Sequence, residues 1–395
     1  MPPSPPYRSR CPLLFARRIV LALMLALLSL APARANPMLL VDMDNFAVLY
    51  AEEAGQPWHP ASLTKLMTAY VAFDQIALGK VSLDTPVVIS RKAFNQAPSK
   101  SGLAVGSAVT LQDALYLLLV KSANDVAVAI AETIAGDEAS YVALMNDTAM
   151  RMGLTATHYA NANGLHDPAQ VTSARDLAIL SLYIRQSFPQ YMPIFGTATV
   201  MLNGKKLESE NKLLETFAGT TGMKTGFICA SGLNMVATVD RNGRRLLAVI
   251  LGGSSARDRN ERTAELILRG LSGAATGTGQ TVLTLGNNPG ALPVDMRPQI
   301  CGKEAKAYTA SQEAAFPMGL KGQPSFLTDT VLTSSYVATD LGRIAVGVSL
   351  PRPRPAHLPI FTAPTTEAAL DGDLRPGLPA AMPGAVPFPR PRPNF

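Results

Sequence analysis

A serine and a lysine three positions apart give this sequence its first candidate for chemistry. They belong to Ser62-Leu63-Thr64-Lys65, which opens a run of apolar residues at helical spacing. Positions i and i+3 of a helix share a face, so the two side chains can meet. A serine hydroxyl becomes a good nucleophile when a base takes its proton, and lysine can be that base once burial lowers its pKa. The spacing therefore predicts Ser62 as a nucleophile with Lys65 as its base.

The same spacing occurs a second time, at Ser209 and Lys212. That stretch is polar and offers no apolar face that could remove water from a lysine. An ammonium group that stays hydrated keeps its proton and cannot act as a base. We therefore expect no catalytic role for the second pair.

Two shorter motifs could complete a site around the first pair. Ser122-Ala123-Asn124 lies between two segments with helical spacing, and its hydroxyl can relay a proton while its amide orients a peptide bond or the lysine. Lys224-Thr225-Gly226 precedes a segment with strand character and offers a fixed charge, a hydroxyl and a glycine that a ligand can approach closely. Taken singly, the first motif is equally compatible with a helix cap and the second with a turn.

The three motifs together occur in the order that is typical of penicillin-binding proteins and class A β-lactamases. With them, the sequence resembles the low-molecular-weight penicillin-binding D-Ala-D-Ala carboxypeptidases of peptidase family S11 over residues 38–271. The matching segments are Pro60-Ala61-Ser62-Leu63-Thr64-Lys65-Leu66-Met67-Thr68, Ser122-Ala123-Asn124-Asp125, Asn163-Gly164-Leu165, Ser173-Ala174-Arg175-Asp176 and Gly222-Met223-Lys224-Thr225-Gly226.

This resemblance implies a serine-type peptidase that removes the terminal D-alanine from peptidoglycan stem pentapeptides. Its partners would be the stem peptide as substrate and β-lactam antibiotics as covalent inhibitors, and it would need neither a cofactor nor a metal. By the same resemblance Ser62 is the acylated nucleophile, Lys65 the base and Ser122 the proton relay. The implied substrate-binding residues are Asn124, Lys224, Thr225, Gly226 and Phe227.

More detailed roles follow from the same resemblance. Asn124 would position both the substrate and Lys65, and Lys224 would recognise the terminal carboxylate. The oxyanion hole would consist of the backbone N–H groups of Ser62 and Phe227. The sequence departs from its relatives after the third motif, where Phe227-Ile228-Cys229 lacks their usual hydroxyl-bearing residue. This departure concerns the fit of the substrate near the strand.

Secondary structure read from the apolar spacing places these motifs in an α+β fold. Strands at both ends of residues 36–272 should meet in one mixed sheet, with a helical lobe inserted. The family resemblance implies the β-lactamase/transpeptidase-like fold, in which an antiparallel sheet is flanked by helices. An Asn-Gly pair at 242–243 favours a tight hairpin turn, and Ser173 is a plausible helix cap. The predicted strands cover residues 38–41, 47–50, 233–239 and 246–251, and the predicted helices cover residues 62–71, 111–120, 125–134, 140–152, 173–183 and 257–269.

The N-terminal 35 residues have the three regions of a signal peptide. Four arginines precede an apolar stretch at 19–30, which is too short to span a membrane, and Ala33-Arg34-Ala35 supplies a small-x-small cleavage site. We therefore expect export and a soluble periplasmic protein, the alternative being an uncleaved N-terminal anchor. No C-terminal amphipathic helix of the kind that anchors many relatives is recognisable.

The region after residue 272 divides into two parts. Residues 273–279 resemble a linker, and residues 281–350 carry scattered strand patterns that predict a small β module within an uncertain region at 273–350. Residues 351–395 are rich in proline and arginine and repeat Pro-Arg-Pro-Arg-Pro, so they should stay unfolded and extended. This tail is either a solvated spacer or a cationic contact with anionic envelope polymers.

Composition bears on nucleic-acid binding, on metal binding and on the state of the cysteines. The net charge of +6 comes without a Lys/Arg cluster interleaved with aromatic residues, which argues against a nucleic-acid partner. No Cys/His cluster suggests a metal site. Cys11 lies in the predicted signal peptide. For Cys229 and Cys301 two separate buried thiols are favoured over a disulfide.

Four competing interpretations remain open. A β-lactamase would need a deacylating glutamate, and none can be matched between the second and third motifs. A D,D-endopeptidase would use the same residues. A Ser-His-Asp hydrolase is disfavoured because the chain has four histidines and no Gly-x-Ser-x-Gly motif. A non-catalytic envelope-binding protein would have no reason to keep the three motifs intact.

Overall fold

A five-stranded antiparallel sheet carries the structure, and a computed structural model describes residues 36–275 and 277–343. The predicted signal peptide and the proline-rich tail lie outside the described residues. The strands in chain order are β1 (Met38–Asp42), β2 (Val48–Glu52), β3 (Pro86–Val88), β4 (Ala108–Thr110), β5 (Thr197–Leu202), β6 (Lys205–Glu208), β7 (Thr220–Ile228), β8 (Gly232–Arg241), β9 (Arg244–Gly253) and β10 (Ser334–Ala338).

The large sheet has the strand order β2-β1-β9-β8-β7, so the first strand of the domain pairs with one of the last. Leu40 of β1 lies opposite Ala248 of β9, which confirms that the two ends of the predicted domain meet. The turn between β8 and β9 has φ values of 55° at Asn242 and 72° at Gly243. Asparagine and glycine tolerate this left-handed conformation, so the predicted tight hairpin forms. Strand β7 is left at an open edge of the sheet.

Helices cover both faces of the sheet, and no described helix is long and apolar enough to cross a membrane. The predicted cap is confirmed, because the Ser173 hydroxyl accepts a hydrogen bond from the N–H of Asp176. The helices are α1 (Thr64–Ala77), α2 (Arg91–Phe94), α3 (Leu111–Leu119), α4 (Asn124–Ala135), α5 (Glu138–Arg151), α6 (Ala174–Ser187), α7 (Met192–Phe195), α8 (Leu213–Thr216), α9 (Ala256–Leu271), α10 (Arg297–Ile300) and α11 (Ala305–Ala315).

Alternation along the strands creates two apolar cores. Leu247 and Val249 of β9 join the larger core with the helical lobe, whereas Leu246 and Ile250 face the other way and pack with α9. A strand that is buried on both faces reads as a continuous apolar run, as β9 does. Full burial of each such side chain stabilises the fold by about 1.5–3 kcal/mol. The sheet and the helical lobe are thereby fixed on either side of the gap where the three motifs meet.

Residues 277–343, which we call the C-terminal wrap, differ from the predicted small β module. In the described part this prediction is wrong, because the wrap contains two helices and one strand joined by irregular chain. The wrap runs from the β2 edge, where Val48 N donates to Gln280 O, to the helical lobe, where Leu341 N donates to Ala108 O. Its apolar residues, such as Val282 and Met296, are single buried anchors and do not form the face of a second sheet.

The two cysteines of the described chain form a disulfide, so the prediction of two separate thiols is wrong. Cys229 Sγ and Cys301 Sγ are 2.04 Å apart and the two Cα atoms 5.6 Å. The bond joins the residue after β7 to the residue after α10, which are 72 positions apart in sequence. Only the path of the wrap brings these two positions together, and local patterns do not reveal that path.

Glu261 provides a test of how firmly the wrap is held. Its buried carboxylate accepts hydrogen bonds from Ser325 Oγ and Phe326 N of the wrap. Glu261→Ala would leave these donors unsatisfied, and we expect it to lower the free energy of unfolding by about 2 kcal/mol. Urea denaturation measures the change. Glu265→Ala on the same helix is the matched control, and an equal loss in both variants would contradict this role of Glu261.

Candidate active site

The nucleophile candidate lies where the chain enters α1. Ser62 is in the short 3₁₀ turn Ala61–Leu63, and Lys65 follows one turn later with none of its surface exposed. Lys65 Nζ lies 3.0 Å from Ser62 Oγ, 2.7 Å from Asn124 Oδ1 and 2.5 Å from the Asn163 carbonyl oxygen. The structure therefore brings Ser62, Lys65 and Asn124 together.

The contacts of Lys65 suit both forms of its amine. When Lys65 is protonated, its three hydrogens can be donated to Ser62 Oγ, Asn124 Oδ1 and Asn163 O. When it is neutral, two hydrogens remain for the oxygens of Asn124 and Asn163, and the lone pair is left to accept from the hydroxyl of Ser62. Burial lowers the pKa of Lys65 well below its ordinary value, and the positive charge of Lys224 lowers it further, against the opposing effect of Asp125. The amine can therefore accept a proton from the serine.

Ser122 lies in the loop between α3 and α4, opposite the nucleophile. Its φ of 61° is a left-handed conformation that non-glycine residues seldom adopt, and Ala61 beside the nucleophile has a φ of 48°. Asn124 is anchored by its side-chain amide, which donates to Ala97 O at 2.9 Å. This hydrogen bond fixes which atom of the amide faces Lys65. Strained backbone of this kind often occurs at functional sites.

Strand β7 forms a further side of the site around Ser62. A Cβ on Gly226 would lie 2.9 Å from the backbone nitrogen of Ser62, so only glycine lets the strand approach the nucleophile this closely. Thr225 beside it is buried, and Phe227 is 51% exposed. Lys224 is buried and its Nζ donates to Thr225 O at 2.9 Å. Burial, together with the charge of Arg259, lowers the pKa of Lys224 to about 7.

These elements enclose a cavity of about 340 Å³ beside the nucleophile. Lys65 and Lys224 are buried behind its walls, so they act on its contents by charge or through neighbouring groups. The lining residues with polar side chains are Ser62, Ser99, Lys121, Ser122, Asn124, Glu210, Thr225 and Arg259, and Gly164, Gly226 and Phe227 line it as well.

Sequence reasoning gave no role to several residues of this site. Arg259 lies on α9, is buried, and its guanidinium donates to Glu210 O at 3.0 Å while lining the cavity. Burial lowers the pKa of Arg259 to about 10, so it stays charged at neutral pH. The position of Arg259 on the amphipathic helix gave no clear clue, because the buried residues of α9 also include the polar Asp258, Asn260, Glu261 and Thr263. The carbonyl of Asn163 left no clue either, since backbone groups carry no sequence signature.

Gly164 allows a test of the geometry around the nucleophile. Its φ is 88°, and a Cβ there would lie 2.0 Å from the carbonyl oxygen of Ala61. Gly136 has a φ of 86° with nothing within 4 Å of an added Cβ. We expect Gly136→Ala to lower the free energy of unfolding by about 1 kcal/mol through backbone strain alone, and Gly164→Ala by about 2–4 kcal/mol, because a backbone clash is added. Urea denaturation compares them. Equal losses would show that Gly164 does not pack against Ala61.

Comparison with known proteins agrees with this architecture. A family model described as D-alanyl-D-alanine carboxypeptidase, Peptidase_S11, matches residues 28–255. The carboxypeptidase DacD of Salmonella typhimurium is 34% identical over 274 residues, which are 67% of this chain and 70% of that protein. DacD of Escherichia coli is 34% identical over 240 residues, 59% of this chain and 62% of that protein, so the match spans less than two thirds of this second relative.

Solved structures show the same fold. Penicillin binding protein 6B from Escherichia coli superposes with a TM-score of 0.58 at 33% identity, covering 60% of this chain and 77% of that one. Penicillin-Binding Protein D2 from Listeria monocytogenes in its cefotaxime-bound form has a TM-score of 0.55 at 28% identity, covering 60% of this chain and 97% of that one. The predicted transpeptidase-like fold is therefore confirmed. This chain belongs to the D-alanyl-D-alanine carboxypeptidase family of serine peptidases, peptidase family S11.

Proposed function

We propose that this chain removes the terminal D-alanine from peptidoglycan stem pentapeptides through an acyl-enzyme on Ser62. The observation that carries the proposal is the buried amine of Lys65, 3.0 Å from the serine hydroxyl, with its pKa lowered by burial and by the charge of Lys224. A serine with such a base within reach can attack a peptide carbonyl. Family membership supports the same chemistry.

In the proposed acylation, Ser62 Oγ attacks the carbonyl carbon of the penultimate D-alanine and its proton passes to Lys65 Nζ. The oxygen of the tetrahedral intermediate accepts hydrogen bonds from the N–H groups of Ser62 and Phe227. The Ser122 hydroxyl then relays this proton, donating its own proton to the departing nitrogen while it takes the one held by Lys65. The C–N bond breaks and D-alanine leaves. Water hydrolyses the ester in the second half of the reaction and regenerates Ser62.

The cavity offers positive charge for the substrate's terminal carboxylate. Arg259 lines the cavity and Lys224 lies behind it, and burial lowers the pKa of each. A bound carboxylate would compensate these two charges and strengthen the protonated form of Lys224. Strand β7 is an open edge, so an extended stem peptide can lie beside it with its carboxylate toward this end.

We further propose that β-lactams acylate Ser62, that residues 1–35 are a cleaved signal peptide, and that the enzyme works in the periplasm. The cefotaxime-bound form of the Listeria relative supports the first of these. The bacterial origin of the relatives supports a cell-wall setting. The domain limits at 36–272 and the contact of tail residues 351–395 with anionic envelope polymers stay predictions.

Removal of the nucleophile tests the proposal. We expect Ser62→Ala to abolish the covalent penicillin adduct and to slow release of D-alanine from a pentapeptide by at least about 10³-fold, because no other hydroxyl of the described residues is hydrogen-bonded to a buried lysine. Intact-protein mass spectrometry detects the adduct, and mass analysis of the peptide detects loss of one alanine. Ser209→Ala, in the polar Ser-x-x-Lys stretch, is the matched control with wild-type behaviour expected. Adduct formation by Ser62→Ala would overturn the proposal.

The pH dependence of substrate binding tests the role of Lys224. A lysine is charged below its pKa, so the free enzyme loses this charge as the pH rises through about 7. We therefore expect the KM for the pentapeptide to rise roughly tenfold across that range, since the attraction between the charge of Lys224 and the carboxylate is lost. Lys224→Met should show no such rise, and its KM at every pH should be close to the one that the wild type reaches above a pH of about 7. Lys100→Met, whose amine bonds to Phe94 O, should behave as wild type. If KM still rises with pH in Lys224→Met, a group other than Lys224 causes the rise.

A further inference from the structure

Residues 295–301 of the C-terminal wrap, which we call the clamp segment, are tied to the end of β7. Cys301 is bonded to Cys229, two positions after Phe227, and Met296 N donates to Ala230 O at 3.0 Å. Phe227 and Ile228 line the cavity, so this attachment holds one cavity wall at its outer end. The wall needs support there because β7 is an edge strand with a single neighbour, β8.

The clamp segment is also tied to the opposite wall. The Arg297 guanidinium donates to His166 Nε2, and His166 follows directly after Gly164 and Leu165, which line the cavity. The same loop packs against the nucleophile turn, since the Gly164 backbone touches the Ala61 carbonyl. The rings of His166 and His59 are in edge contact at 5.1 Å. One short segment therefore contacts the strand that carries Phe227 and the loop that supports Ser62.

Acylation depends on the relative position of these two walls. The two N–H groups of the oxyanion hole come from different walls, Ser62 from the nucleophile turn and Phe227 from β7. Both must point at one oxygen, and catalytic groups of this kind are effective only within about 0.5 Å of their productive position. A tie between the walls at the outer end of the cavity would limit their separation.

We propose that the clamp segment sets the spacing of the two walls, with Cys229, Cys301 and Arg297 as positioning residues for acylation. This inference rests on the proposed function, because it assumes that Ser62 is acylated with help from the Phe227 N–H. The match to the family model ends at residue 255, so the clamp segment lies outside the residues that this model covers. None of the three residues touches the reacting atoms, and each acts through a wall.

The second-order rate constant for acylation of the full chain by a fluorescent penicillin tests the clamp. We expect the double variant Cys229→Ala/Cys301→Ala to react about tenfold more slowly, because the covalent tie is lost. Arg297→Ala should react about threefold more slowly, and Arg297→Lys, which keeps a donor toward His166, should regain most of that loss. The Arg297 side chain is 49% exposed, so its variants are compatible with a folded chain even where the cysteine variant unfolds.

Tyr336→Phe is the control at the far end of the wrap, where the Tyr336 hydroxyl donates to Asp113 at 2.7 Å. It should lower the free energy of unfolding by about 1 kcal/mol while its acylation rate stays within about twofold of wild type. If the wrap only stabilised the fold, the acylation rate of every variant would instead fall in proportion to its loss of unfolding free energy. The pH at half-maximal acylation should stay unchanged in all clamp variants, because the clamp does not contact Lys65.

The outcomes separate the two proposals. If the wild-type chain is not acylated at all, the proposed function and the clamp both fall. If the wild-type chain is acylated and the Arg297→Ala and folded cysteine variants match it within about twofold, the clamp alone is wrong. Slower acylation in the clamp variants, with Tyr336→Phe unaffected and the pH midpoint unmoved, would support it.

Discussion

The buried amine of Lys65 is the constraint on which the rest of this structure depends. Moving an ammonium ion out of water is so unfavourable that an unpaired buried lysine gives up its proton. The site provides no carboxylate in contact with the amine: its hydrogens meet two carbonyl oxygens, and the carboxylate of Asp125 accepts instead from Ser101. Lys65 thus remains available as a base beside Ser62.

Keeping this amine dry requires close packing around a strained turn. Gly164 and Gly226 bring two backbone segments against residues 60–63, and either would clash if it carried a side chain. Ala61 and Ser122 hold left-handed conformations that would be unfavourable in isolation. The apolar cores on both faces of the sheet offset these unfavourable terms. Stability elsewhere in the fold therefore maintains the geometry of the site.

The meeting of the three motifs was implied by the family resemblance, and the predicted strands did not include β3 to β7, although β7 carries Lys224. Local patterns were enough to predict the two hairpins and six of the helices, because residue spacing determines which side chains share a helix face or a strand edge. Local patterns were not enough to predict a role in the site for Arg259, which resembled any other charged residue of an amphipathic helix. They were not enough to predict the role of the Asn163 carbonyl either. The predictions for Cys229 and Cys301 and for the C-terminal wrap were wrong for a different reason. Contacts 72 positions apart depend on the path of irregular chain, which carries no periodicity.

The protonation state of Lys65 is the most direct test of this account. Lysine labelled with ¹³C at Cε reports the titration of each amine by NMR, and the Lys65 signal is assigned by its loss in Lys65→Ala. The account predicts that Lys65 titrates well below the ordinary value of 10.5, so that its amine loses its proton at a lower pH than an exposed lysine does. Titration at or above that value would contradict it, because a permanently charged ammonium cannot take the proton of Ser62.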